Sequence, residues 1–286
     1  MNKPDIPIEQ SSDSKLEIII PVMGATGAGK STFLNYLVQD EALKCPVGHG
    51  LASCTVGLRS IPLIFPNDEL LKHYKITLVD TPGFDDTNLG DAAILRLIAD
   101  WLAKAYRDKK VLGGVIYLHD VSNKRFSGTA RRNLEMFNLM CGDHALSRVV
   151  FGTTNWTRIT EDRGVRSEDE LEGVHWRSML EQGARTKRFE DSYESAFSFI
   201  KDIIGRALVH VYYFKIQKEM VDDKKIIAET DPGKKLLYTV EDVADMRRQL
   251  LHLEKATENV DAFEEIHRKL KVPLLRRLWK YVTTDS

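Results

Sequence analysis

The first strong pattern along the chain is a nearly unbroken apolar run, Leu16-Glu17-Ile18-Ile19-Ile20-Pro21-Val22-Met23, that stops at a glycine. A short apolar run that does not alternate and ends at a turn residue predicts a strand buried on both faces, as in a parallel sheet. Similar runs recur at residues 75–79, 111–118 and 148–153. Between them, apolar side chains fall at three- and four-residue spacing over residues 31–37, 92–105, 130–140, 167–182 and 195–204, which predicts helices. Strands alternating with helices imply right-handed βαβ units. The expected architecture is therefore α/β, a doubly wound and mainly parallel sheet flanked by helices.

The pattern changes near residue 205. Glycine nearly vanishes, and charged helical stretches are expected over residues 206–229 and 239–271, joined by the turn Asp231-Pro232-Gly233. Leu250, Leu253, Ala256 and Val260 form an apolar stripe without sustained heptads, so the stretch reads as a helical extension folded back on its own domain rather than a long coiled coil. Residues 1–15 are polar and read as a disordered leader. The expected division is a leader at 1–15, an α/β domain at 16–205 and a helical extension at 206–286.

Composition narrows the function classes. The 286 residues carry 41 basic and 42 acidic side chains, so no overall field attracts a polyanion, and basic residues are not interleaved with aromatic platforms as nucleic-acid binders require. Cys45, Cys54 and Cys141 are scattered, without metal-ligand spacing, and fit free thiols in a reducing, cytoplasmic setting.

Candidate chemistry lies at the first glycine. Gly24-Ala25-Thr26-Gly27-Ala28-Gly29-Lys30-Ser31 matches G-x-x-x-x-G-K-[ST] and sits between an apolar strand and a helix, the context that gives the motif its meaning. In such a P-loop the glycines let successive N–H groups face phosphate oxygens at a helix N-terminus, while Lys30 places a charge on the β and γ phosphates. Ser31 offers its hydroxyl to Mg²⁺, and Thr32 reads either as a contact near the α phosphate or as a helix-start hydroxyl. About fifty residues later, Leu78-Val79-Asp80-Thr81-Pro82-Gly83 delivers an aspartate at the carboxyl end of a strand, where open α/β sheets bind ligands. Asp80 is expected to hold Mg²⁺, and the Gly83 N–H to meet the γ phosphate. Between these motifs Ser53-Cys54-Thr55 offers Thr55, with Ser53 in reserve, to complete the Mg²⁺ shell when a triphosphate is bound.

These residues resemble the septin-like branch of the translation-factor class of P-loop GTPases, near the immunity-associated GTPases, and look closer still to fungal G-domain proteins that have not been characterised. The resemblance rests on Val22 to Asn35, on Leu78 to Asp86, on Gly113-Gly114-Val115-Ile116-Tyr117-Leu118-His119 and on Val149 to Trp156, and it covers roughly residues 16–205. It implies a G domain that binds Mg²⁺ and GTP, hydrolyses slowly, and switches or assembles with its nucleotide state, as a homodimer or oligomer.

Two departures from the family pattern stand out. Relatives read guanine with [NT]-K-x-D, whereas the matching stretch here is Thr154-Asn155-Trp156-Thr157, so the aspartate is missing and base discrimination is weakened, leaving ATP as an alternative ligand. Trp156 offers either a base-stacking surface or an ordinary packed aromatic, and Ser195-Ala196 resembles the later base-contacting loop. The glutamine that often follows D-x-x-G to orient water is Phe84, so another group, among them Thr55, His49, Asp85 or a partner subunit, would position the attack. Arg125 reads as a surface arginine or as a group reaching a phosphate or a facing subunit. Residues 267–281 carry six Lys/Arg and no acid among apolar side chains, a segment that would suit an anionic membrane surface or a tail docked on its own domain. An ATP-using enzyme, a binding module without hydrolysis and a septin-like assembly protein remain as rivals.

Overall fold

The computed structural model describes residues 16–45, 57–69, 71–85, 90–108, 110–123, 125–207, 213–236, 238 and 240–256. Among them the chain forms β1 (Leu16–Gly24), α1 (Lys30–Leu37), β2 (Arg59–Leu63), β3 (Tyr74–Asp80), α2 (Asp91–Arg107), β4 (Val111–Leu112), β5 (Val115–Asp120) and α3 (Gly128–Cys141). It continues with β6 (Val149–Thr154), α4 (Glu161–Glu170), α5 (Arg177–Glu181), β7 (Arg185–Arg188), α6 (Tyr193–Ala207), α7 (Lys215–Val221) and α8 (Val240–Ala256). The seven strands make one sheet in the order β2-β3-β1-β5-β6-β7, with β4 also paired to β1. Every pairing is parallel except β2 with β3.

Side-chain alternation along β1 divides the core into two layers. Ile18, Ile20 and Val22 pack with Phe33, Leu34, Phe199 and Ile203 under α1 and α6. Ile19 and Met23 face the opposite layer with Ile98 and Leu102 of α2, Phe137 of α3, and Phe214 and Ile216 at α7. The doubly wound α/β P-loop fold expected from the sequence is the fold observed.

Several local expectations are corrected. The run at 111–118 is two strands, because a Cβ on Gly113 would lie 2.5 Å from Ile18 Cγ2 and one on Gly114 would lie 2.6 Å from the Arg148 carbonyl oxygen. The helix expected over 167–182 begins at Glu161, passes through a π-helical turn at Leu171–His175, and resumes as α5. Among the described residues, the stretch expected as one helix over 206–229 holds the end of α6 and then α7, followed by 3₁₀ turns at Ile227–Glu229 and Gly233–Lys235; Lys224, with φ of 52°, lies in the break after α7. The buried amide of Gln217 stitches α7 to the domain, donating to the Leu102 carbonyl at 2.9 Å and accepting from the Phe214 N–H at 2.7 Å. The α8 helix lies beside α2, where Arg96 donates to Gln249 at 3.1 Å. The leader, the side chains of Leu250, Leu253, Ala256 and Val260, and the basic tail lie outside the described residues. Among the described residues no helix is long and apolar enough to cross a membrane.

Candidate nucleotide site

The P-loop is shaped by three glycines in conformations that L side chains avoid: Gly24, Gly27 and Gly29 have φ of 137°, 80° and 81°. Gly24 is required on space as well, since a Cβ there would lie 2.3 Å from the Leu118 carbonyl oxygen of the neighbouring strand. At the start of α1 the N-cap Gly29 has no side chain to spend on the first helical amides, which leaves the N-terminus to an external anion. Lys30 is buried, and its ammonium donates to the carbonyls of Gly24 at 3.1 Å and Ala25 at 2.8 Å, so its charge is held inside the loop.

Parallel pairing places Val22 opposite Asp80, which brings the P-loop and the end of β3 to the same edge of the sheet. The Ser31 hydroxyl there donates to Asp80 Oδ2 at 3.2 Å, and Asp80 is almost wholly buried. A hydroxyl and a carboxylate converging beside a phosphate loop form the hard oxygen set that Mg²⁺ takes alongside phosphate oxygens. Thr81, which sequence reading passed over, is buried and donates to the Val22 carbonyl at 2.8 Å, fixing the turn after Asp80 to β1. Gly83 lies against the P-loop so closely that a Cβ would be 2.4 Å from Thr26 N. Phe84 is buried and pairs its backbone with Ala25.

Thr55, Ser53 and His49 lie outside the described residues, but both ends of their segment are tied down. Asn35 exchanges hydrogen bonds with the backbone of Cys45 at 2.9 and 2.6 Å, and the Arg59 guanidinium donates to the carbonyls of Leu43 and Lys44. Burial, with the nearby Asp80 charge, raises the Cys45 thiol to about 11, so it stays protonated at neutral pH.

On the other side of the P-loop, Thr154 at the end of β6 is buried, and its hydroxyl lies 3.0 Å from the Ala28 carbonyl. Asn155, in a left-handed conformation with φ of 61°, donates to the Gly27 carbonyl at 3.5 Å. These two residues therefore brace the phosphate loop. Trp156 is engaged within the protein: Arg188 lies 4.1 Å over its ring, its indole N–H donates to Thr153 Oγ1 at 3.2 Å, and a Cβ on Gly164 would lie 2.5 Å from the ring. Ser195 and Ala196, at the start of the helix expected over 195–204 and similar to a base-contacting loop, lie in the first turn of α6, where Ser195 bonds to Ser192 and Ala196 is buried. The loop between β7 and α6 is formed instead by residues 189–192; Phe189 N–H donates to the Thr153 carbonyl at 2.9 Å, which sets Glu190 and Asp191 next to the end of β6. The signal for this loop is β7, an Arg-Thr-Lys-Arg edge strand with no apolar pattern to announce it.

Residues 19–151 match the family model described as 50S ribosome-binding GTPase. No curated protein matches the chain. Among solved structures, Toc33 from Arabidopsis thaliana is similar in three forms, each 13% identical. A dimerisation-deficient mutant gives a TM-score of 0.53 over 69% of this chain and 87% of that one. The complex with GDP and Mg²⁺ gives 0.52 over 70% and 88%, and the complex with Mg²⁺ and GMPPNP gives 0.51 over 69% and 87%. At that identity the structures speak for the fold alone, while the family match covers the P-loop, the β3 aspartate and the strands between which they lie. The chain therefore has the α/β fold of P-loop GTPases, and its residues 19–151 are similar to that family.

Proposed function

We propose that the chain binds Mg²⁺-GTP, hydrolyses it slowly and changes state with its nucleotide. The observation that carries this reading is the 3.2 Å contact between Ser31 and Asp80, delivered by two parallel strands to the mouth of a glycine-shaped loop that already holds the Lys30 ammonium. Mg²⁺, when bound, would supply positive charge against the negative charge that develops on the phosphates. In this reading Ser31 and Asp80 hold the ion, with Thr55 completing its shell. The P-loop amides and Lys30 bind the phosphates, and Gly83 N–H reports the γ phosphate. Phe84 has no group to orient water and is buried, which supports a low intrinsic rate.

Guanine recognition needs a paired acceptor for its N1–H and amino group, and Thr157 cannot supply one. Glu190 and Asp191, beside the end of β6, are the carboxylates we assign to that task. Toc33 is seen with GDP and with GMPPNP and has a dimerisation-deficient mutant, and we extend nucleotide binding and a nucleotide-dependent homodimer to this chain on that likeness. We take residues 16–205 as the nucleotide-binding unit and the following residues as its helical extension. Thr157 in the aspartate position favours a second reading, a P-loop NTPase that does not select its base.

Titration with fluorescent GTP and ATP analogues in Mg²⁺, with Lys30→Ala as control, separates the readings. A GTP preference abolished by Lys30→Ala supports the first, and equal affinities support the second. Binding unaffected by Lys30→Ala would remove the phosphate site on which both depend.

A further inference from the structure

The segment after Gly83 does more than border the P-loop. Thr26 N–H faces two acceptors from it, the Phe84 carbonyl at 3.3 Å and the Asp85 carboxylate at 3.0 Å. Asp85 reaches back in a left-handed conformation, φ 71°, and its own N–H points to Asp91 at 3.4 Å, at the start of α2. Aspartate adopts such a conformation at lower cost than most residues. A Cβ on Gly83 would lie 2.5 Å from the Thr26 hydroxyl, so the contact is tight.

Thr26 is the P-loop residue that faces Gly83, the glycine assigned to the γ phosphate, whereas Gly27 to Ser31 lead into the helix N-terminus. A carboxylate on the Thr26 amide, in the field of Lys30, is an anion on a donor suited to a terminal phosphate oxygen. One N–H cannot serve both fully, and the two negative groups repel at such range. We propose that Asp85 competes with the terminal phosphate for the P-loop: it occupies Thr26 N–H when that phosphate is absent and must leave when a triphosphate binds, so Asp85 sets the preference between di- and triphosphate. Burial, with the Asp91 charge, raises the Asp85 pKa, and the Thr26 N–H and Lys30 oppose that rise only in part, so the carboxylate is held there at a cost.

This inference rests on the nucleotide-binding reading, and its test separates the two. Calorimetric titration of Mg²⁺-GMPPNP and Mg²⁺-GDP into the full chain, Asp85→Ala and Asp85→Asn is the measurement. The expected result is GMPPNP binding about tenfold tighter in Asp85→Ala, the scale of one charge-assisted hydrogen bond, with GDP binding unchanged and Asp85→Asn intermediate. In the nucleotide-free protein, Thr26 amide exchange should also quicken in Asp85→Ala. GMPPNP affinity that stays the same, weakens, or moves in step with GDP would overturn the role of Asp85 and leave nucleotide binding intact. A wild-type chain that binds neither nucleotide would overturn both.

Discussion

The Thr154 hydroxyl, at the carboxyl end of β6, lies 3.0 Å from the carbonyl oxygen of Ala28 in the P-loop, a residue 126 positions earlier in the chain. The same hydroxyl is 3.2 Å from the His119 carbonyl at the end of β5, so one buried group braces three adjacent segments of the site. Thr154→Val removes the donor and leaves a buried carbonyl short of its partner, a loss of about 1–2 kcal/mol. Urea denaturation should show a lower midpoint with an unchanged slope. GDP and GTP analogues should weaken together, because the tether serves the whole loop. A Thr154→Val protein as stable as the parent would mean that β6 does not hold the loop.

Gly83 makes a different prediction, because its methyl would collide with backbone rather than with a side chain that can turn away. Gly83→Ala puts a carbon 2.4 Å from Thr26 N and 2.7 Å from Thr26 Cα, so the two loops must separate. Overpacking of this kind costs about 1–3 kcal/mol. Since the glycine is assigned to the terminal phosphate, triphosphate binding should fall further than diphosphate binding in a paired titration. Equal losses would place Gly83 in the scaffold alone.

What the sequence disclosed, and what it withheld, follows from which forces leave a local trace. β1, β3 and β6 are buried on both faces, so their apolar runs are unmistakable, and the P-loop glycines are dictated by backbone conformations that a motif records directly. The glycine-shaped loop and the aspartate at the end of β3 are legible for that reason. β2 and β7 were missed because edge strands need only one covered face: β2 carries Pro62, and β7 is Arg-Thr-Lys-Arg. Gly113 and Gly114 split a run whose hydropathy is continuous, because the reason is the neighbouring Ile18 and Arg148, which no local pattern contains. Ser195 and Ala196 stand in the first turn of α6, in keeping with the helix expected over 195–204. Ser192 bonds to Ser195 at the start of α6, which puts the loop before them.

The stretch after α6 is fastened by Phe214 as well as by Gln217. Phe214 is fully buried in the layer formed by α2 and α3, so Phe214→Ala should cost about 3–5 kcal/mol through lost burial and the cavity left behind. Thermal unfolding followed by far-UV circular dichroism should then show one cooperative transition at lower temperature. If residues 213–236 instead came loose while the remainder kept its transition, the stretch would be an appendage that the nucleotide-binding unit does not need.

His119 gives the chain an acid sensitivity whose direction can be worked out. Its ring lies between Phe126 at 5.5 Å and Trp176 at 6.1 Å, beside a small cavity also lined by Asp120, Arg125, Glu170 and His175. Burial is the largest influence and lowers its pKa from 6.5 to about 4; the Asp120 charge opposes this and His175 adds to it. Between those values the unfolded chain binds the proton and the folded chain does not, so stability rises with pH across this window and is lost as pH falls. The full loss, reached near pH 4, is at most about 3 kcal/mol for this one group. His119→Phe keeps an aromatic ring in the cluster without a titrating nitrogen. Urea midpoints measured from pH 7 to pH 5 should therefore fall less steeply for His119→Phe than for the parent. Parallel slopes would mean that His119 is solvated enough to accept its proton in the folded state, and the acid response would have to come from other groups.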